Sequence, residues 1–179
     1  MTIDPIIAAA LRVLLALLFA AAVAHKVADF AAFRIVLHDY HLLPLAMVTP
    51  ATAIVIATEI GLAAALPWPA TGSTAAWAAV ALLAIYSFGI AINLLRGRRT
   101  LECGCAPSTY RQPLSEWLLA RNAVSIAAAF ALTLPHAPRA LAWLDAVTFA
   151  GMVAAGSAAW VATQQLLALA PRVAVRGAS

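Results

Sequence analysis

The chain has 179 residues, of which 65% are apolar and 10% charged, and its mean hydropathy of +0.95 lies far outside the range of a water-soluble domain. A formal charge of +4 and a pI of about 9.7 do not point to nucleic acid, because the basic residues flank apolar stretches instead of lining a soluble face.

A bilayer core of about 30 Å calls for roughly 20 apolar residues per helical span. Five stretches of that length run at about Ile6–Val27, Pro44–Leu66, Ala75–Leu95, Ser115–Leu134 and Leu141–Ala170. The connections are too short to hold a separate soluble domain. The expected fold is therefore an all-α, polytopic transmembrane helical bundle, a single integral membrane domain over residues 1–179 in contact with the lipid bilayer.

Ala22-Val23-Ala24 ahead of His25 has the form of a signal-peptidase site, but the segment before span one has no Lys or Arg and carries Asp4, so retention is expected. Span one contains Arg12, and a guanidinium at that depth without a partner costs on the order of several kcal/mol. Span two runs the opposite way and places Glu59 at a similar distance from the same surface. The prediction is an intramembrane Arg12–Glu59 pair, either fixing helix register or handling a proton or ligand. Trp68, Trp77 and Trp143 all fall at span ends on that side, as expected for the headgroup layer.

Between His25 and Leu43 the apolar positions Phe30, Phe33 and Leu37 recur at helical spacing among charged neighbours. They predict a short amphipathic helix in the interface, with Pro44 in the first turn of span two. The connection from Arg96 to Leu114 is the most polar part of the chain and contains both cysteines, Cys103 and Cys105. By counting spans it lies on the same side as the His25–Leu43 segment, so a site is expected where the two meet. Span five is longer than a bilayer requires, contains Gly151 and Gly156 and ends in Gln164-Gln165, so it is expected to tilt, break or lie partly in the interface.

Two cysteines separated by Gly104 make either a redox couple or an inert pair. A disulfide between them closes a small strained ring, and strain raises the reduction potential; glycine has the backbone freedom to allow it. Arg98, Arg99 and Arg111, with His25 and Lys26 from the first connection, would stabilise the thiolate that exchanges disulfides. A zinc site from Cys103, Cys105, His25 and Glu102 is the chemical rival, at a spacing unusual for structural zinc. Asn93, Arg121 and Asn122 are expected to converge beneath this loop. They either join helices by hydrogen bonds, or Arg121 clamps the loop, a thiolate or a quinone. On balance no metal or other cofactor is expected, a quinone being the open alternative. His25, His38, His41 and His136 all lie near span ends or in connections, so no haem-binding pair stands within the spans.

In order and spacing, His25-Lys26, Asp29-Phe30, Phe33-Arg34, Tyr40, Leu43-Pro44, Glu59, Cys103-Gly104-Cys105, Gln112-Pro113-Leu114-Ser115 and Arg121-Asn122 resemble the MauE family of methylamine-utilisation membrane proteins over about residues 8 to 134. The resemblance implies a DoxX-like core of four spans over residues 1–135, with residues 136–179 adding a fifth, C-terminal helix and a short tail. It also implies a multi-pass protein of the bacterial inner (cytoplasmic) membrane that assists maturation of methylamine dehydrogenase. The client is then the disulfide-rich small β-subunit or another disulfide-containing protein, the partner a thioredoxin-like protein, and Cys103 and Cys105 the exchanging pair. The alternatives are a non-catalytic assembly or translocation factor and a quinone-linked oxidoreductase subunit. Lys26, Arg34, Arg96, Arg98, Arg99, Arg111, Arg172 and Arg176 share the cysteine side, whereas the opposite side has Arg139 and the embedded Arg12. Positive-inside bias thus puts the cysteines in the cytoplasm, unless the arginines serve the site itself.

Overall fold

The computed structural model describes residues 2–101, 113–135, 137 and 139–176, with the side chains of 167–176 left out. Helix α1 spans Pro5–Ala28. Asp4 caps it by accepting from the Ile6 N–H at 2.8 Å, and Pro5 occupies the first turn, where a missing N–H costs nothing. Asp29 ends α1 and opens α2, Phe30–Asp39, through a 2.9 Å bond from the Ala32 N–H to its carboxylate. The expected amphipathic helix is therefore present, though α1 runs three residues past His25 before it starts. Pro44 sits one position earlier than anticipated, as N-cap of α3, Leu45–Ala65. A single 3-10 turn over Pro69–Thr71 leads into α4, Gly72–Leu95, followed by α5, Glu116–Ala131, and α6, Trp143–Arg176.

Among the described residues, four segments are long and apolar enough to cross a membrane: Pro5–Ala28, Leu45–Ala65, Pro69–Leu95 and Trp143–Leu166. Their outward faces carry side chains that water would not tolerate, such as Leu45, Ile54, Ile85, Phe88 and Val161. The chain is a multi-pass helical membrane protein. The predicted span at Ser115–Leu134 is shorter than expected, because α5 has only 16 residues, about 24 Å at 1.5 Å per residue. It still joins the two ends of the bundle. Leu118 packs beside Tyr40 near the cysteine connection, whereas Ala129 and Leu132 pack with Ala8 at the other end. The last span is one helix of 34 residues, with no break at Gly151 or Gly156. It lies along α1, and a Cβ at Gly156 would come within 2.7 Å of Leu14.

The interior has two apolar layers. A large one joins α1, α3, α4 and α5 through Leu15, Phe19, Leu62, Ala79, Leu83 and Ala129. A small one closes the cysteine end with Tyr40, Ile90, Leu114 and Leu118. Far from the cysteines, Arg139 clamps the start of α1 to the start of α6, at 2.7 Å from both Asp4 and Asp145. The Arg139 hydrogen bond, and after it the Ile6 N–H, hold the Asp4 carboxyl below its ordinary pKa.

Candidate functional site

The base of the cysteine loop begins where α4 ends. Gly97 has φ of +73°, a left-handed backbone suited to glycine. The Gly97 N–H bonds to the Leu94 carbonyl and the Arg98 N–H to the Asn93 carbonyl, both at 2.9 Å, which is a Schellman ending. The turn sends the Arg98 guanidinium across to the end of α2, where Nη1 donates to the Asp39 carbonyl at 2.9 Å. A cation there offsets the partial negative charge of a helix C-terminus. His41 Nδ1 also lies 2.8 Å from that carbonyl. It carries its proton there, so its 3.2 Å approach to Arg98 joins two donors and is not a hydrogen bond. Asn93 is fully buried, donates to the Gly89 carbonyl at 3.0 Å and faces Arg98 through Oδ1 at 3.5 Å.

The two connections therefore meet, and a recess lined by Ala32, Ile35, Val36, Asp39, Thr100 and Leu101 marks the seam. Arg99 makes a two-pronged ion pair with Glu116 at 2.5 and 3.0 Å. The Leu114 N–H bonds to the Leu101 carbonyl at 2.9 Å, so the two residues flanking the loop are fastened to each other. Cys103, Gly104 and Cys105 lie outside the described residues, as do Glu102 and Arg111. The zinc alternative falls largely on them. Among the described residues no group of His, Cys, Asp and Glu is arranged to hold a metal. Replacing Gly97 with alanine should cost about 1 kcal/mol or more, because the backbone there is positive in φ. A melting curve of the purified protein in detergent measures it, with no change expected for alanine at Gly61, where a Cβ meets nothing within 4 Å.

Lys26 is placed differently from expectation. It is 2% exposed and buried inside the bundle, where Nζ lies 2.5 Å from Glu59 Oε1 and 3.2 Å from the Tyr86 hydroxyl. Tyr86 in turn donates to Glu59 Oε1 at 2.6 Å. The rings of Phe33 and Tyr86 face the ammonium with centroids at 4.6 and 4.9 Å, a favourable setting for a desolvated cation. This overturns the Arg12–Glu59 pair. Arg12 and Lys26 are about 21 Å apart along α1 at 1.5 Å per residue, and it is the last turn of α1 that meets Glu59. Counting from span ends assumes that α1 and α3 begin and end level. Because α2 carries the chain past Ala28 before α3 begins, the two helices pack out of step. Arg12 lies instead at the opposite end, its guanidinium against Gly72, where a Cβ would come within 2.8 Å. It lines an opening there with Pro5, Pro69 and Thr133.

Arg121 is buried and points to α6, donating to Gln164 Oε1 at 2.8 Å and stacking on Trp160 at 5.0 Å. Among the described residues it serves helix joining, between α5 and α6. Asn122, also buried, reaches Ser87 at 3.4 Å. His25 remains near the end of α1, partly exposed, with its carbonyl accepting from the Asp29 N–H. Arg121→Lys should lower thermal stability by about 1 kcal/mol through loss of the forked donors and the stack, while trapping of the cysteines with a partner is unaffected. Equal loss of both would put Arg121 back at the site.

Tyr86 was not singled out from the sequence, although a phenol inside an apolar span needs a hydrogen-bond partner and so signals one. Beside this polar group, between α2, α3 and α4, lies a cavity of about 270 Å³ whose lining is apolar but for Lys26, Tyr40 and Tyr86.

The sequence profile of the family described as "Methylamine utilisation protein MauE" matches residues 4–135. The chain is 36% identical over 130 residues to the methylamine utilization protein MauE of Paracoccus denitrificans, covering 73% of this chain and 70% of that one. Against the Methylorubrum extorquens protein of the same name, identity is 35% over 149 residues, with 82% and 80% covered. For the Paracoccus versutus protein it is 41% over 127 residues, with 70% and 68% covered. No solved structure matches the chain.

Proposed function

The chain belongs to the MauE family of methylamine-utilisation proteins, and from that premise we propose a thiol-disulfide factor of the bacterial inner membrane acting in methylamine utilisation. Cys103 and Cys105 are its exchanging pair. Its partner is a thioredoxin-like protein, and its client the disulfide-containing small subunit of methylamine dehydrogenase. A thiolate on the partner attacks one sulfur of the Cys103–Cys105 disulfide, a mixed disulfide forms and the other cysteine leaves as thiolate. The partner's second thiolate then attacks the mixed disulfide, so the partner departs oxidised and both cysteines are reduced. Exchange at each step is in-line at sulfur and needs a reachable thiolate.

The observation that carries this reading is the construction of the loop base. The chain leaves at Leu101 and returns at Leu114, and a 2.9 Å backbone bond joins the two residues. Arg98 and Arg99 stand just before that point, five and four residues ahead of Cys103. Fixed positive charge beside a thiol favours its thiolate. Both guanidinium groups are already held, by Asp39 and Glu116, so they stay in place as the loop exchanges partners.

The test is a Cys103→Ser, Cys105→Ser double variant in cells growing on methylamine. The small subunit should accumulate without its full set of disulfides while the variant remains in the membrane. Normal maturation with the double variant would make the chain a non-catalytic assembly factor.

A further inference from the structure

The Lys26 ammonium has three N–H donors. One bonds to Glu59 and one to the Tyr86 hydroxyl, at 2.5 and 3.2 Å, which leaves the third without a hydrogen-bond acceptor among the described residues. Glu59 Oε2 is likewise buried without a hydrogen-bond partner among them. Unmet polar capacity deep in an apolar bundle is costly, and the Lys26 ammonium stands at the wall of the 270 Å³ cavity that it lines with Tyr86. Because Glu59 already balances Lys26, a second anion such as a fatty-acid carboxylate gains little there. An acyl chain offers no acceptor for the spare donor. A neutral ring with a carbonyl at its edge satisfies it, and the aromatic side chains of Phe33, Tyr40 and Tyr86 in the same lining suit a flat ring. The volume lies just below the range of about 300–1,000 Å³ usual for small-molecule pockets, enough for a ring head but not for a long isoprenoid tail.

The cavity also borders the base from which the cysteine loop leaves. Tyr40 lines it and packs in the small apolar layer with Leu114, against which Leu101 rests. We infer that this cavity binds the ring of a lipid-phase para-quinone, the two-electron acceptor that returns Cys103 and Cys105 to the disulfide. The inference rests on the thiol-exchange reading. One thiolate adds to a ring carbon, and the second attacks the sulfur of that adduct. The S–S bond forms, the C–S bond breaks, and the electron pair stays on the ring. The two protons given up by the thiols complete a hydroquinone. Lys26 donates to the carbonyl oxygen on which negative charge grows.

The experiment measures binding of decylubiquinone to the full chain in nanodiscs, using the Cys103→Ser, Cys105→Ser variant so that no thiol chemistry contributes. A single saturable site is expected. Val55→Phe, which fills the cavity from α3, should weaken it about tenfold or more, equivalent to about 1.4 kcal/mol. Leu42→Trp does the same from the connection should the first variant fail to fold. The paired Lys26→Met, Glu59→Gln exchange should also weaken binding, since it removes the donor without stranding a charge. No saturable binding, binding indifferent to both filling variants, or full displacement by oleate at equal concentration would overturn the inference, the last marking a lipid site. Mixed-disulfide trapping in the Val55→Phe chain then keeps the two ideas apart. Trapping that persists while quinone-driven loss of thiols falls about tenfold supports the cavity as acceptor site; thiol loss unchanged by Val55→Phe sinks the cavity alone, and absence of trapping even in the parent chain sinks the exchange reading.

Discussion

Lys26→Met should be the most damaging single exchange in the bundle, costing about 3–5 kcal/mol because it leaves the Glu59 carboxylate buried and unpaired. Glu59 is fully buried and both Lys26 and Tyr86 converge on its Oε1, so methionine removes the charge that makes the carboxylate tolerable. In lipid no water is at hand to take over, and the site must protonate or open. The signature of this origin is rescue. Lys26→Met with Glu59→Gln exchanges two charges for two neutral groups of similar size and should recover most of the folded protein. Recovery is read as the yield of monodisperse protein in detergent and as its melting temperature. A double-mutant cycle of Arg12 with Glu59 should give a coupling within about 0.5 kcal/mol of zero, since the two residues are at different heights. Strong Arg12–Glu59 coupling with none for Lys26 would restore the arrangement that the sequence suggested.

The second large effect concerns the cysteines singly. Either Cys103→Ser or Cys105→Ser should depress formation of disulfide-complete client about a hundredfold or more, and the double variant should be no worse than either, because groups that act as one unit give non-additive losses. The fold should not notice. The flanking residues Leu101 and Leu114 are anchored by their own backbone bond and by apolar packing, with no cysteine sulfur required. Melting temperatures within about 0.5 kcal/mol equivalent of the parent are expected. Losses that instead add across the pair would mean independent roles for the two sulfurs.

Four of the five predicted spans, the helix type and the amphipathic α2 were legible because hydropathy and the 3.6-residue period are local properties of the chain. The meeting of the two connections was legible as well, since alternation of spans dictates it. Inter-helix register was not. Whether Glu59 meets Arg12 or Lys26 depends on how far α2 displaces α3 along α1, and nothing in residues 45–65 encodes that offset by itself. Arg121 shows the same limit. Its depth was readable, but its direction is set by the angular position of Trp160 and Gln164 on α6, a helix outside the motif-bearing stretch.

Register also alters the meaning of the charges on the cysteine side. Lys26, Arg98 and Arg99 each have a structural partner, in Glu59, the Asp39 carbonyl and Glu116, and would be cationic on either side of the membrane. Among the described side chains, Arg34 and Arg96 are left to carry the topological signal. An impermeant maleimide applied to intact cells before and after reduction reports which side the cysteines face.

Disulfide exchange through Cys103 and Cys105 is tested most directly by acid-quenched trapping in cells that carry one cysteine as serine. Membranes are alkylated, run without reductant and probed for this chain. The account predicts a covalent adduct with a thioredoxin-like protein in at least one single-cysteine variant, lost on reduction and absent from the double variant. If neither single variant yields a reducible adduct while the client still matures, the cysteines do not exchange disulfides and the account is wrong.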